Sequence, residues 1–255
     1  DLRWSAVALD VEPQIHEMQA LLAGKWQVLP GLVRRLFQGA KLEQATSDYQ
    51  NLVGAIRSDG HAVDSYIFPF VVDERKMGAT LLHWLLGIVD LPVDREVPML
   101  YSSHLRPYGP GLLWSYAREF SAVAVGITGG GVNVGRFAPL TWDELWSDLR
   151  LAFHWTSDMH IFSLEGCVQR GWLRRLMLVD WDEPPTPPSR RVREVEGFRR
   201  LLRAGLWASR RPLLTLAALA GLVWAVPYRY FRPRRATTRA MARSQESPSS
   251  PKPSC

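Results

Sequence analysis

Five short apolar runs, each closed by polar or glycine residues and each followed by a stretch of helical character, constrain this chain more than any other feature. They are SAVALDVEP (5–13), VDSYIFPFV (63–71), VPMLYSS (97–103), SAVAVGITGGG (121–131) and MHIFSLEGC (159–167). They are apolar without clean alternation and rich in Val, Ile, Phe and Tyr, as strands covered on both faces are. Helices are expected between them, at 14–24 and 31–58, 77–88, 109–120, 141–155 and 166–178. The best marked lies in PLTWDELWSDLRLAF, where Thr141 followed by Glu144 forms a capping box and Leu145, Leu149 and Ala152 share one face. Strands alternating with helices imply right-handed crossovers and a parallel sheet. An open doubly wound sheet and a (β/α)8 barrel both fit. A dinucleotide fingerprint is missing after the first run, and polar residues gather at the strand ends, which points to the barrel. The expected fold is therefore α/β: residues 1–182 as the C-terminal five units of a (β/α)8 barrel, with three more units upstream.

Charge decides which partners to consider. The net charge of +6 comes from the C-terminal part: residues 1–188 carry 16 Lys and Arg against 22 Asp and Glu, and residues 189–255 carry 15 against 3. The main domain is acidic, so a basic groove for nucleic acid is not expected. Two cysteines, Cys167 and Cys255, provide neither a disulfide framework nor a cysteine-based zinc site, and the six histidines lack metal-binding spacing. No metal or cofactor is called for.

A proline-rich linker at 183–189 and a basic juxtamembrane helix at about 190–209 follow the repeating pattern. Next comes PLLTLAALAGLVWAVPYRYF (212–231), with seventeen uncharged residues before Arg229 and Trp224, Tyr228 and Tyr230 near one end. That is the lower limit of a bilayer span, with aromatics where headgroups would lie, so a single transmembrane helix is expected at 212–230 within a 210–231 segment. Arginines flank both ends and leave orientation open. Residues 232–255 read as a disordered basic tail.

Asp10 and Glu12 stand two residues apart before Pro13, on one side of the first strand. Either Asp10 bonds a neighbouring strand and Glu12 opens a helix, or the pair rims an active site. On a barrel floor, a carboxyl beside another carboxylate keeps its proton toward neutral pH. LDVEP and the MLY of VPMLYSS resemble the acidic fourth strand and the Met-x-Tyr sixth strand of family 18 chitinase-like (β/α)8 glycosidases. The chain departs from that family in having Ser5 to Ala8 where an earlier aspartate stands, and Ser102 instead of an acid after Tyr101. The resemblance implies Glu12 as proton donor to the glycosidic oxygen, Asp10 as its charge partner, and Tyr101 in the same catalytic group.

Glu165 is either a second carboxyl for glycoside hydrolysis or an acid at a helix start. Tyr66 and Trp114, with Phe68, Tyr116 and Trp142, are rings that could stack on a sugar. Asp73, with Glu74 and Arg75, reads either as a rim ion-pair group beside the substrate or as a catalytic group. Thr128, Gly129 and Gly130 begin a loop that is either a substrate-accommodating turn or a phosphate cradle. The expected function is a membrane-tethered glycoside hydrolase-like barrel acting on a polysaccharide or glycan. The alternatives are a catalytically inactive carbohydrate-binding or assembly module and, third, a phospho-sugar enzyme using the glycine loop.

Overall fold

A computed structural model describes residues 4–12, 20, 27, 29–35, 39–130 and 138–211. The chain divides into two compact units, Asp1–Arg210 and Arg211–Cys255; of the second, only Arg211 is among the described residues. Most of the helix expected at 14–24, and all of the segments at 212–231 and 232–255, lie outside them. Among the described residues no helix is long and apolar enough to cross a membrane.

The first unit is mixed α/β with every strand pair parallel. Strands β1 (Ala6–Asp10), β2 (Ala62–Ile67) and β3 (Arg95–Pro98) form one ladder, and β4 (Ala122–Gly126) and β5 (Asp158–Phe162) a second. A single parallel bridge, Met99 to Ala124, joins them, with Leu100 N donating to Ala124 O at 2.8 Å. Neighbours in space are thus neighbours in sequence, the pattern of a sheet wound in one direction.

Helices α1 (Leu29–Arg35) and α2 (Gly39–Ser58) connect β1 to β2. Helices α3 (Val71–Met77) and α4 (Leu81–Leu86) connect β2 to β3, α5 (Gly109–Ala117) connects β3 to β4, and α6 (Trp142–Phe153) connects β4 to β5. After β5 come α7 (Leu164–Gln169), α8 (Trp172–Leu176) and α9 (Ser189–Ser209). The run expected as one strand over 63–71 ends at Ile67 because Pro69 has no N–H for a ladder, and the chain turns into α3. The helix expected at 77–88 is α4 alone, and the unexpected α3 before it is closed where Gly78 takes a left-handed φ of 59°.

Period-two alternation gives the sheet two faces. The outer face carries Val63, Val123 and Val125, all fully buried. Val123 and Val125 pack with Leu112, Leu113 and Tyr116 of α5 and Leu145, Leu149 and Ala152 of α6. Val63 lies with Leu9, Val11 and Val53 of α2. Thr141 caps α6, and the reciprocal bond from Glu144 completes the capping box. The inner face gathers Val97, Ala122 and Ala124 with Tyr66 and Tyr101. Helix α9, expected as a juxtamembrane element, packs back on α5 and α3 within the first unit.

Candidate active site

The inner face is concave, since side chains three strands apart touch across it. Tyr66 on β2 shares a hydrogen bond of 2.6 Å between its hydroxyl and Nδ1 of His160 on β5, the rings meeting edge to face. Arg95 on β3 donates Nε to Asp64 Oδ1 on β2 at 3.2 Å and Nη1 to Asp158 Oδ2 on β5 at 2.5 Å. His160 Nε2 lies 3.3 Å from the other Asp158 oxygen. Between these partners β4 presents only Ala122 and Ala124, whose methyl groups leave room for the crossing side chains.

The carboxyl ends of the strands open above this layer. Asp10 stands in register with Tyr66, and Glu12 follows two residues on. Displacement of water raises the Asp10 carboxyl. Partial desolvation, reinforced by repulsion from Asp10, raises Glu12 to about 7, although both residues are exposed at the strand end. Tyr101 lies above β3 against Phe162, ring centroids 5.7 Å apart. Its phenol is raised by burial and then by the negative charges of Glu12 and Asp10, which places all three in one electrostatic neighbourhood. Tyr66 is likewise raised, by burial first and then by Asp64, with Arg95 opposing. Such a group can hold and deliver a proton near neutral pH: Glu12 is poised half-protonated, and the two tyrosines stay protonated donors.

Of the residues singled out in the sequence, Asp10, Glu12, Tyr66 and Tyr101 meet here. Thr128 stands at the end of β4 with its hydroxyl fully used, donating to Ser163 O and accepting from Ser163 N, both at 2.9 Å. Gly129 O accepts from Ser163 Oγ at 2.8 Å. A side chain on Gly130 would come within 2.8 Å of the Glu165 carboxyl carbon, and one on Gly166 within 2.1 Å of Gly129 O, so these glycines are required by close packing of the loop on α7. Glu165 is exposed in the first turn of α7 and accepts from Gln169 Nε2 at 3.0 Å, as a helix-start acid does. Peptide bonds Gly126–Ile127 and Phe162–Ser163, at the ends of β4 and β5, are cis.

Two assignments are corrected. Asp73 is not at a substrate rim: it is fully buried in the helix layer, bonded by Arg199 at 2.9 Å, Arg203 at 2.7 Å and Tyr116 Oη at 2.5 Å. Burial alone would raise it, but the bonds from Arg199, Tyr116 and Arg203 hold it below the usual carboxylate range. Trp114 is not at the strand ends either. It stacks on His154 at 4.9 Å and meets Trp155 edge-on, beside the C-terminal end of α6, which leads into the amino end of β5. Tyr116 is consumed by Asp73, and Trp142 packs on Trp172 under Arg175.

Asp64, Arg95, Asp158 and His160 were not anticipated, although a signal was present. Asp158 and His160, like Asp64 and Tyr66, are polar residues two apart within short apolar strands, and that spacing turns both onto one face. Among the described residues no group of three or more His, Cys, Asp or Glu is arranged to hold a metal ion. No family model, no curated protein and no solved structure matches this chain, so the chemistry of the concave face rests on its own geometry.

Proposed function

We propose that the concave face is the active site of a glycoside hydrolase-like enzyme, with Glu12 as general acid to a glycosidic oxygen and Asp10 as the neighbour that keeps it protonated. The observation that carries this reading is the Asp10–Glu12 pair at a strand end, with Glu12 raised to about 7 and Tyr101 beside both. A general acid works best when its pKa lies near the working pH. Among the described residues the carboxylates named on the concave face, Asp10, Glu12, Asp64 and Asp158, outnumber Arg95, which suits an uncharged glycan. At the start of the glycine loop the Glu165 carboxyl lies against Gly130 and the Arg170 guanidinium against Gly129.

The architecture that goes with this function is a closed (β/α)8 barrel of which β1 to β5 are consecutive strands. Chain-order parallel pairing and contacts from β2 to β5 support it. So does the apolar surface beyond β5, where Leu164, Val168, Met177 and Leu178 are exposed. Residues 212–230 would tether the domain to a membrane. A carbohydrate-binding module without catalysis is the second reading, favoured by one observation: Glu165 stands exposed in the first turn of its own helix, where it accepts from Gln169.

Hydrolysis of chromogenic β-linked oligosaccharides, with binding followed by calorimetry, tests the proposal. Glu12→Gln is expected to preserve fold and binding while lowering turnover at least ~10²-fold, because an amide fills the site without donating the proton. Unchanged turnover in that variant removes the catalytic role, and binding without turnover in the parent chain supports the module.

A further inference from the structure

His160 has both ring nitrogens engaged: Nε2 lies 3.3 Å from Asp158 Oδ1, and Nδ1 lies 2.6 Å from the Tyr66 hydroxyl oxygen. Arg95 donates to the other Asp158 oxygen at 2.5 Å, so Asp158 faces the arginine on one side and the imidazole on the other. The acidic side chain beside Nε2 favours a proton on that nitrogen. That makes Nδ1 the variable atom. In the neutral ring Nδ1 accepts, and Tyr66 donates its proton to it. In the imidazolium Nδ1–H donates, the Tyr66 oxygen accepts, and the phenolic proton is free to point elsewhere.

We propose that His160 is a positioning residue that sets the sense of the Tyr66 hydroxyl, so that the concave face offers a ligand an acceptor when the ring is neutral and a donor when it is charged. The choice of ligand class, a glycan whose hydroxyls can both donate and accept, rests on the glycosidase reading; the switch itself does not. Tyr66 suits the part because burial, Asp64, Asp10 and Asp158 all favour its protonated form, so it always has a proton to redirect. The groups around the ring, among the described residues, are few. Asp158 is on its own strand, Arg95 comes from β3, Asp64 and Tyr66 come from β2, and Asp10 and Glu12 stand at the end of β1 beside Tyr66. Neighbouring β4 adds Ala122, Ala124 and Gly126, with no charge. The result would be a binding face that selects for hydrogen-bond sense as pH crosses the histidine range.

The test is spectroscopic and uses the full chain with nitrogen-15 histidine and carbon-13 tyrosine, titrated between about pH 5 and pH 8. Neutral His160 is expected to carry its proton on Nε2 in long-range proton–nitrogen spectra. The Tyr66 Cζ resonance is expected to move with the His160 midpoint. His160→Asn, with its fold checked by amide dispersion, should lose that movement. The combined Asp10→Asn and Glu12→Gln variant should retain it, which separates the imidazole from the two carboxyls. A neutral ring protonated on Nδ1, or a Tyr66 resonance indifferent to the His160 midpoint, overturns the proposal. These spectra need no turnover, so a failed hydrolysis assay and a failed switch are distinguishable.

Discussion

Asp148 ties the stability of the fold to pH through one buried carboxyl. It is 2% exposed in α6 and accepts a hydrogen bond from Ser102 Oγ, in the loop that also carries Tyr101. Ser103, next along, accepts from Ile127 N at 3.0 Å and donates to Gly126 O at 3.2 Å, so the two serines pin the Tyr101 loop to α6 and to the end of β4. Burial raises Asp148 to about 7, with the Ser102 bond opposing. The folded state thus holds a proton that the unfolded chain releases near pH 4. Stability from this group is complete below that point and is lost as pH rises to about 7. Asp148→Asn keeps an acceptor for Ser102 without the titration. It should gain on the parent between pH 5 and pH 8, by about 3 kcal/mol. Thermal melts at the two pH values measure it; an equal difference at both would contradict the assignment.

Helix α9 is held to the domain by an arginine where its apolar stripe would place a hydrophobe. Val195, Arg199 and Leu206 are its buried positions. Arg199, fully buried, bonds Asp73 on α3, Glu119 at 2.8 Å and Ser115 O, and its guanidinium lies 3.8 Å from the centroid of the Tyr116 ring. Replacing one partner of a buried pair leaves the other charged and unmatched. Arg199→Met is therefore expected to cost about 3–5 kcal/mol in urea unfolding. A loss below about 1 kcal/mol would mean that Arg203 and Tyr116 suffice for Asp73. This element also shows where sequence reading stops. A run with six arginines reads as a solvated helix, since the acid that buries one of them lies 126 residues away. The α6 start was legible because its cap, Thr141, and its partner, Glu144, are three residues apart. The same locality made LDVEP legible as a pair of acids sharing a strand end, while the bond from Tyr66 to His160, 94 residues apart, was not.

At the scale of the whole chain, spacing alone was enough for five parallel strands, because a strand, a crossover helix and the next strand form a unit that sequence patterns record. The packing across the concave face was not legible. It depends on small residues on β4 lying opposite large ones on β2 and β5, which only pairing order reveals. Attachment to a membrane belongs to this scale too. The full chain is expected to stay in the membrane fraction after a carbonate wash, and a chain ending at Arg211 to be released. Recovery of the full chain in the soluble fraction would count against the 212–230 anchor. Everything in the first unit converges on the end of β1, where the sheet delivers two carboxyls beside Tyr101. The most direct measurement is therefore a carbon-13 titration of the Glu12 carboxyl. The account expects a midpoint of about 7 that moves down in Asp10→Asn, whereas a midpoint near 4.5, indifferent to that substitution, would contradict it.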